Sequence, residues 1–442
     1  MRLENLTFKG GIHIPDYKEL TKDKAIERAN EPKVVYIPLH QHVGTPCEAL
    51  VKVGDQVKVG QKIGESKAFV SAPVHSSVSG IVKGITTMYT PVGIKSKCIV
   101  IESDGQNEKH ESVKPRNDLD KLSAEEIFDI IKEAGIVGLG GAAYPCHAKI
   151  AVADDKKVDD LIINGAECEP YLTCDYRLML EESDKIIFGL KALMKYLGSQ
   201  NGYIGVENNK MDAVKVLEEA IKEESNIKVA TLKTKFPQGD SYRMVYSITG
   251  KKVPQGGHCN DVGVMVNNVA TAYAIAEAII DGKPLYERVV TVTGKGIKEP
   301  KNLLVKIGTT IGDLIEQCGG FNGKPAKIVA GGPMTGTAQF SLDTPIAKCT
   351  SGIIVFTEDQ VKPAPISDCI KCGKCLQVCS VGLQPLFISA YSLKGNYDVA
   401  ERYNATACIE CGACSYICPA KRPLTESIKH AKSEIKARRK KS

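Results

Sequence analysis

Two short runs hold half of the sixteen cysteines: CIKCGKCLQVC carries Cys369, Cys372, Cys375 and Cys379, and CIECGACSYICP carries Cys408, Cys411, Cys414 and Cys418 ahead of Pro419. Both follow C-x2-C-x2-C-x3-C, the spacing by which thiolates wrap a cubane 4Fe-4S cluster. Each two-residue gap turns the chain around the cube, so three close sulfurs reach three irons while the fourth is drawn to the other cluster. On that rule Cys369, Cys372, Cys375 and Cys418 hold one cluster, and Cys408, Cys411, Cys414 and Cys379 hold the second. Gly373 and Gly412 leave room for backbone N–H groups near the sulfurs, a contact that tunes potential. Zinc is the weaker reading, because it usually takes two C-x2-C pairs set apart by a longer span. Ser380 departs from the pattern, standing where a proline often follows the fourth cysteine.

A second candidate site lies upstream. Gly138-Leu-Gly140-Gly141-Ala-Ala-Tyr144-Pro-Cys-His-Ala-Lys149 is rich in glycine and ends on lysine. Backbone N–H groups of such a loop can converge on a phosphate, with lysine as a point charge. A helix precedes it and the next strand begins only near Leu161, so the dinucleotide fingerprint fails in context. Taken alone, the loop reads better as a tight packing turn. Asn164, Glu167 and Glu169 shift that balance, since they follow a predicted strand at the edge where α/β sheets place ligands. Carboxylates there suit ribose hydroxyls or a nicotinamide amide. Cys146 and Cys168 read as small buried structural thiols, and His147 and His258 as packed or solvated side chains.

These residues need elements to position them, and the chain is long enough for about three or four domains. Its 442 residues are 43% apolar and 25% charged, with a net charge of +6 and no Trp, so disordered and fibrous classes are excluded and nucleic acid is not indicated. The N-terminus lacks the apolar core of a secretory signal, which favours reduced, metal-bound thiols over disulfides. The longest apolar stretch, Val262 to Ile280, contains Asn267, Asn268 and Glu277 and is not read as a membrane span.

Residues 1–110 read as a β domain, whose VKVGDQVKVGQKIG and SAPVHSSVSGIV resemble the barrel-sandwich hybrid of biotinyl and lipoyl domains. Lys67 falls near the modified lysine of such domains, but its hairpin is too short, so it reads as a solvated lysine. Glu102 to Asp120 reads as a linker. Residues 120–285 read as an α/β domain, with a capping box at Ser123 and Glu126, strands at 161–164, 202–207 and 227–233, and helices at 183–197 and 211–223. Residues 286–358 suggest a β-grasp module, Pro363 and Pro365 mark the entry to a two-cluster α domain over 360–425, and 426–442 form a basic tail, read as a solvated helix end or a docking segment. The expected fold class is thus multidomain α/β plus β with a ferredoxin-like end.

Read together, GIVGLGGAAYPCHAKI, INGAECEP, FPQGDS and NNVAT resemble, in order, the flavin and NADH site of the NADH-oxidising subunit of respiratory complex I. Nearly end to end, the chain resembles the C subunit of the Rnf complex. The resemblance implies FMN held by Gly138, Gly140, Lys149, Asn164, Asn267, Asn268 and Thr271, with Tyr144 packing on the dinucleotide, Glu169 contacting NADH, and Gly239 and Asp240 forming a further flavin and nucleotide loop; Glu167 remains a candidate from its place after the strand. Ala166 and Ser241 replace acids of the complex I pattern. It also implies exchange of electrons between NAD(H), FMN and two 4Fe-4S clusters in an ion-translocating ferredoxin:NAD oxidoreductase. The implied partners are integral membrane subunits and the iron-sulfur B subunit, and the implied place is the cytoplasmic face of the cell membrane. A soluble corrinoid (cobalamin) reductase with the same cofactors, and a non-enzymatic electron relay, are the competing readings.

Overall fold

Short apolar stretches broken by glycine make the first domain a pair of small antiparallel sheets, and a computed structural model describes the chain over residues 3–115, 118–153, 156–361 and 365–439. One sheet is ordered Val34–Pro38, Lys95–Ser103, Gly80–Tyr89, Gln56–Val57, and the other Glu48–Ala49, Lys62–Glu65, Val74–His75. Val35, Ile37, Ile63, Val82, Ile99 and Ile101 fill the space between them. Lys67 is exposed, as a solvated lysine would be. The stretch expected to be a linker is partly ordered into this domain. Glu102 lies within the last strand, and Lys109 forms a bridge to Val59, with the His110 N–H donating to the Val59 carbonyl at 2.9 Å.

The α/β domain is built on a four-stranded parallel sheet ordered Ile227–Leu232, Asn201–Glu207, Asp160–Gly165, Val264–Asn268. The strand order reverses beside Asp160–Gly165, which creates a crevice between that strand and Val264–Asn268. Ser123 caps the helix Ala124–Glu133 in the expected capping box. The helix Ser183–Leu197 has the expected bounds, whereas Met211–Ala220 stops short of residue 223. The apolar stretch before residue 280 is the last strand followed by the helix Val269–Ile280. That helix is buried nearly all round, with Glu277 paired to Lys283 at 2.7 Å, so it is apolar because it is a core helix. Among the described residues no helix is long and apolar enough to cross a membrane.

A six-stranded sheet forms the third unit, ordered Ile26–Arg28, Lys301–Lys306, Glu287–Thr293, Gly352–Thr357, Pro325–Ala330, Thr337–Gln339, with the helix Ile311–Gln317 packed on it. Its first strand comes from the N-terminal segment. Residues before Val34 therefore run outside the two small sheets: Leu6 bridges to Leu232, Ile12 to Phe236, and the Gly11 N–H donates to the Val378 carbonyl at 2.9 Å.

Among the described residues the cysteine-rich segment holds five α-helices, Lys374–Val378, Pro385–Leu393, Tyr397–Arg402, Ala413–Ile417 and Leu424–Arg439, and the short 3-10 helix Ala405–Ala407. The expected basic tail is, through Arg439, part of this unit. Ile428, Ala431 and Ile435 are buried against Ile388 and Ala400, and Arg438 and Arg439 pair with Asp398 and Glu401. Pro363 and residues 440–442 lie outside the described residues.

Candidate functional site

The two cysteine runs fold alike. Lys371 and Glu410, which follow corresponding positions, both take positive φ (57° and 58°), as do Gly373 and Gly412 (74° and 80°). Their N–H groups turn inward, with Lys371 donating to Cys369 Sγ and Glu410 to Cys408 Sγ, each at 3.4 Å. One small cavity is lined by Cys369, Cys372, Cys375 and Cys418, and another by Cys379, Cys408, Cys411 and Cys414. That grouping coincides with the crossed sets expected from the spacing. Four cysteines lining one small cavity, twice over, with a backbone N–H donating to one sulfur of each set, fit a pair of 4Fe-4S cubes.

A much larger cavity, about 570 Å³, opens at the sheet's crevice. Gly140, Asn164, Glu167, Glu169, Gly239, Asp240 and Asn268 lie on its wall. Asn164 and Asn268 are register partners on the two strands that flank the reversal, which is why residues far apart in sequence meet there. Asn164 donates to the Gly239 carbonyl at 2.8 Å and Asn268 Nδ2 donates to Asp175 at 2.6 Å, while Asn268 Oδ1 caps its own helix by accepting from the N–H groups of Ala270 and Thr271. A Cβ at position 140 would come within 3.2 Å of the Asn268 side chain, and Gly141 has open space and φ of 130°. A bare backbone facing a cavity of this size leaves room for a flat ring and its phosphate.

Five of the expected residues sit elsewhere. The Gly138 N–H closes the loop onto the Tyr144 carbonyl at 2.9 Å, and Thr271 Oγ1 accepts from the Leu139 N–H at 3.0 Å, so both shape the loop from behind the wall. Lys149 donates to the Val266 carbonyl and Tyr144 faces outward. Asn267 is buried with its Nδ2 unpartnered among the described residues.

Glu167 and Glu169 differ sharply in what they touch. Glu167 accepts from the Asp175 N–H at 2.7 Å and the Tyr176 N–H at 3.3 Å, which makes it a cap for the helix Cys174–Glu181. Glu169 accepts from the Met334 N–H at 3.0 Å and from Thr335 Oγ1, on the glycine-rich loop that follows Ala330 in the β-grasp unit. Burial raises its pKa. Asp240 caps the helix Ser241–Thr249, also with its pKa raised by burial. The following Arg243 donates to the Ser380 carbonyl, tying this loop to the cysteine unit.

Sequence reasoning missed the groups that hold these residues in place. Lys18, almost fully buried, donates to the carbonyls of Glu169 and Leu172, and Lys210 donates to the Ala166 carbonyl at 2.7 Å while pairing with Glu207 at 3.3 Å. Arg288 donates to the Leu139 and Lys348 carbonyls. No motif announces a lysine or arginine that satisfies backbone carbonyls across domains. Asp175 was missed as well; burial first, then the neighbouring Glu167 carboxylate, pushes its pKa up to about 7. Ile409, Glu410 and Cys411 line the large cavity, and Ile409 and Cys411 also line the second cysteine cavity, so the two share a wall.

Sequence-family models match the chain in order: an RnfC barrel sandwich hybrid domain over residues 6–106, a Nuo51 FMN-binding domain over 131–277, an SLBB domain over 289–338 and a 4Fe-4S dicluster domain over 368–422. The C subunit of the Na(+)-translocating ferredoxin:NAD(+) oxidoreductase complex of Acetobacterium woodii is 48% identical, with 100% of each chain covered. The C subunit of the proton-translocating ferredoxin:NAD(+) oxidoreductase complex of Clostridium ljungdahlii is 47% identical over 98% of this chain and 94% of its own. The C subunit of an ion-translocating oxidoreductase complex of Rhodobacter capsulatus is 37% identical over 99% of this chain and 84% of its own. Among solved structures, an NAD+-reducing [NiFe]-hydrogenase in the H2-reduced state shares the fold at a TM-score of 0.51 and 17% identity, over 71% of this chain and 63% of its own.

Proposed function

We propose, from the premise that the chain belongs to the family of C subunits of ion-translocating ferredoxin:NAD(+) oxidoreductase complexes, that it is the subunit at which such a complex exchanges electrons with NAD(H). The observation that carries this is the wall common to the large cavity and the cavity of Cys379, Cys408, Cys411 and Cys414. When bound, FMN supplies the conversion between hydride transfer and single-electron steps, and the 4Fe-4S clusters supply the single-electron relay.

The chain's own residues provide geometry. Gly140, Asn164 and Asn268 hold the flavin at the crevice, with Gly138 and Thr271 setting the loop and Lys149 and Asn267 supporting the strand behind it. Glu169 and the Gly239–Asp240 loop receive the dinucleotide on the side facing the β-grasp loop, and Tyr144 flanks the site from outside. Glu167, capped onto a helix, fixes the course of the chain between Asn164 and Glu169. Cys369, Cys372, Cys375 and Cys418 ligate one cluster; Cys408, Cys411, Cys414 and Cys379 ligate the cluster beside the flavin. The partners are the other subunits of the complex, integral membrane subunits and the iron-sulfur B subunit among them, with this chain peripheral on the cytoplasmic face.

Anaerobically purified protein is expected to contain flavin, iron and acid-labile sulfide, and NADH is expected to bleach the flavin band and then the iron-sulfur absorbance. A protein without flavin, or one whose spectrum ignores NADH, would overturn this reading.

A further inference from the structure

We infer that Ser380 donates a hydrogen bond from its hydroxyl to sulfur of the cluster held by Cys379, Cys408, Cys411 and Cys414, and so favours the reduced form of that cluster. The inference rests on the cluster reading above and goes beyond it in assigning a tuning role to a residue that ligates no iron. Ser380 lies on the wall of the cavity that those four cysteines line. Its Oγ is buried and has no hydrogen-bond partner among the described residues. A buried hydroxyl without an acceptor is destabilising. The occupant of the cavity supplies the missing acceptor, because the sulfurs of an iron-sulfur cluster accept hydrogen bonds.

The other cysteine run shows that the local backbone does not demand a serine here. Its corresponding residue is Pro419, on the wall of the first cluster's cavity beside Cys418. The residues that precede the two positions, Cys379 and Cys418, have nearly the same backbone angles: φ −67° and ψ 110° against φ −70° and ψ 115°. Those are extended angles that a following proline favours. What serine adds is a donor, since proline has neither a hydroxyl nor a backbone N–H. At this position, therefore, one cavity can donate to its occupant and the other cannot.

Three contacts fix the segment that carries the hydroxyl. The Gly11 N–H donates to the Val378 carbonyl at 2.9 Å, and Arg243 donates to the Ser380 carbonyl. Gly10 packs so closely that a Cβ there would come to 2.9 Å from the Cys379 carbonyl oxygen and 3.2 Å from Ser380 Cα. Arg243 is thus a positioning residue for Ser380, and the helix it belongs to is capped by Asp240 on the wall of the large cavity. The reduced cluster carries one more negative charge than the oxidised one, so a hydrogen bond donated to its sulfur is stronger after reduction and raises the reduction potential. The proton stays on Oγ throughout, and no bond forms or breaks.

The test uses anaerobic holo-protein, with the two cluster midpoints read by EPR redox titration and exchangeable protons near the reduced clusters read by pulsed ENDOR after transfer to deuterated buffer. Ser380→Ala is expected to shift one midpoint to more negative potential, leave the other in place, and lose one exchangeable-deuteron coupling. Ser380→Thr, which keeps the hydroxyl, is expected to restore both readouts. Ser380→Pro is expected to behave as Ser380→Ala and serves in its place if the alanine variant binds iron poorly. Arg243→Met is expected to weaken the same coupling and move the same midpoint in the same direction. Iron content is recorded for every variant. Wild type without iron would sink the cluster reading itself. Iron-replete alanine and proline variants with wild-type midpoints and couplings would overturn the role of Ser380 alone. A shifted midpoint with every deuteron coupling retained would also overturn it, because the shift would then be a packing effect without a donor.

Discussion

The two cysteine runs share spacing and backbone angles, yet one is walled in and the other lies open. Around Cys408 to Cys414 the neighbours are Met334 from the β-grasp loop, Phe236 and the N-terminal Ile12, with Ala413 only 1% exposed. Around Cys369 to Cys375 the corresponding positions meet solvent. A ligand pattern therefore makes a site, while the surrounding packing decides whether that site faces the large cavity or the outside.

The largest effects should come from removing one ligand on each side. Cys411→Ala and Cys372→Ala are each expected to lose about half the bound iron. In C411A, NADH still bleaches the flavin but the remaining cluster stays oxidised, whereas in C372A the remaining cluster is still reduced; rapid-freeze EPR after NADH addition distinguishes them. Identical behaviour of the two would break the inner and outer distinction.

Exchanging corresponding residues comes next. Ala413→Lys forces an ammonium into a buried apolar contact and is expected to destabilise the protein by several kcal/mol, seen in the denaturant midpoint of the holo-protein. Glycine substitutions sharpen the same contrast. Gly373→Ala meets nothing within 4 Å and should cost about 1 kcal/mol for its left-handed backbone, while Gly412→Ala also brings a Cβ to 3.0 Å from the Met334 carbonyl and should cost more.

The walled-in side also carries a titrating floor. Asp175 has a folded pKa of about 7 against an ordinary value of 3.8, raised by burial and by Glu167; Asn268, Arg288 and Lys18 act in the opposite direction. Folded protein therefore binds more protons than unfolded between those values, so stability falls as pH rises through that window. Asp175→Asn should flatten the profile, as measured by urea unfolding from about pH 4 to 8, and an unchanged slope would remove Asp175 from the account. The smallest effect is expected from Lys374→Ala, within about 0.5 kcal/mol of wild type.

Some of this was legible in the residues. The cysteine spacing groups the sulfurs as the two small cavities do because short gaps leave little conformational choice, and the capping box at Ser123 and Glu126 is likewise local. The wall of the large cavity was legible only in part. Asn164, Asn268, Gly140 and Gly239, expected from motif order, line the large cavity, whereas Lys149 and Tyr144 do not.

By itself the sequence determined what is encoded over a few residues: two cluster-binding runs, a glycine loop without side chains, and helix caps. Tertiary structure alone decided which run lies beside the large cavity, that an N-terminal lysine, Lys18, supports a loop 151 residues further along the chain, and that Glu169 is clasped by the β-grasp loop. The reason is physical: local steric and hydrogen-bonding preferences act between neighbours in the chain, whereas burial, desolvation and charge pairing depend on which distant segments the fold brings into contact.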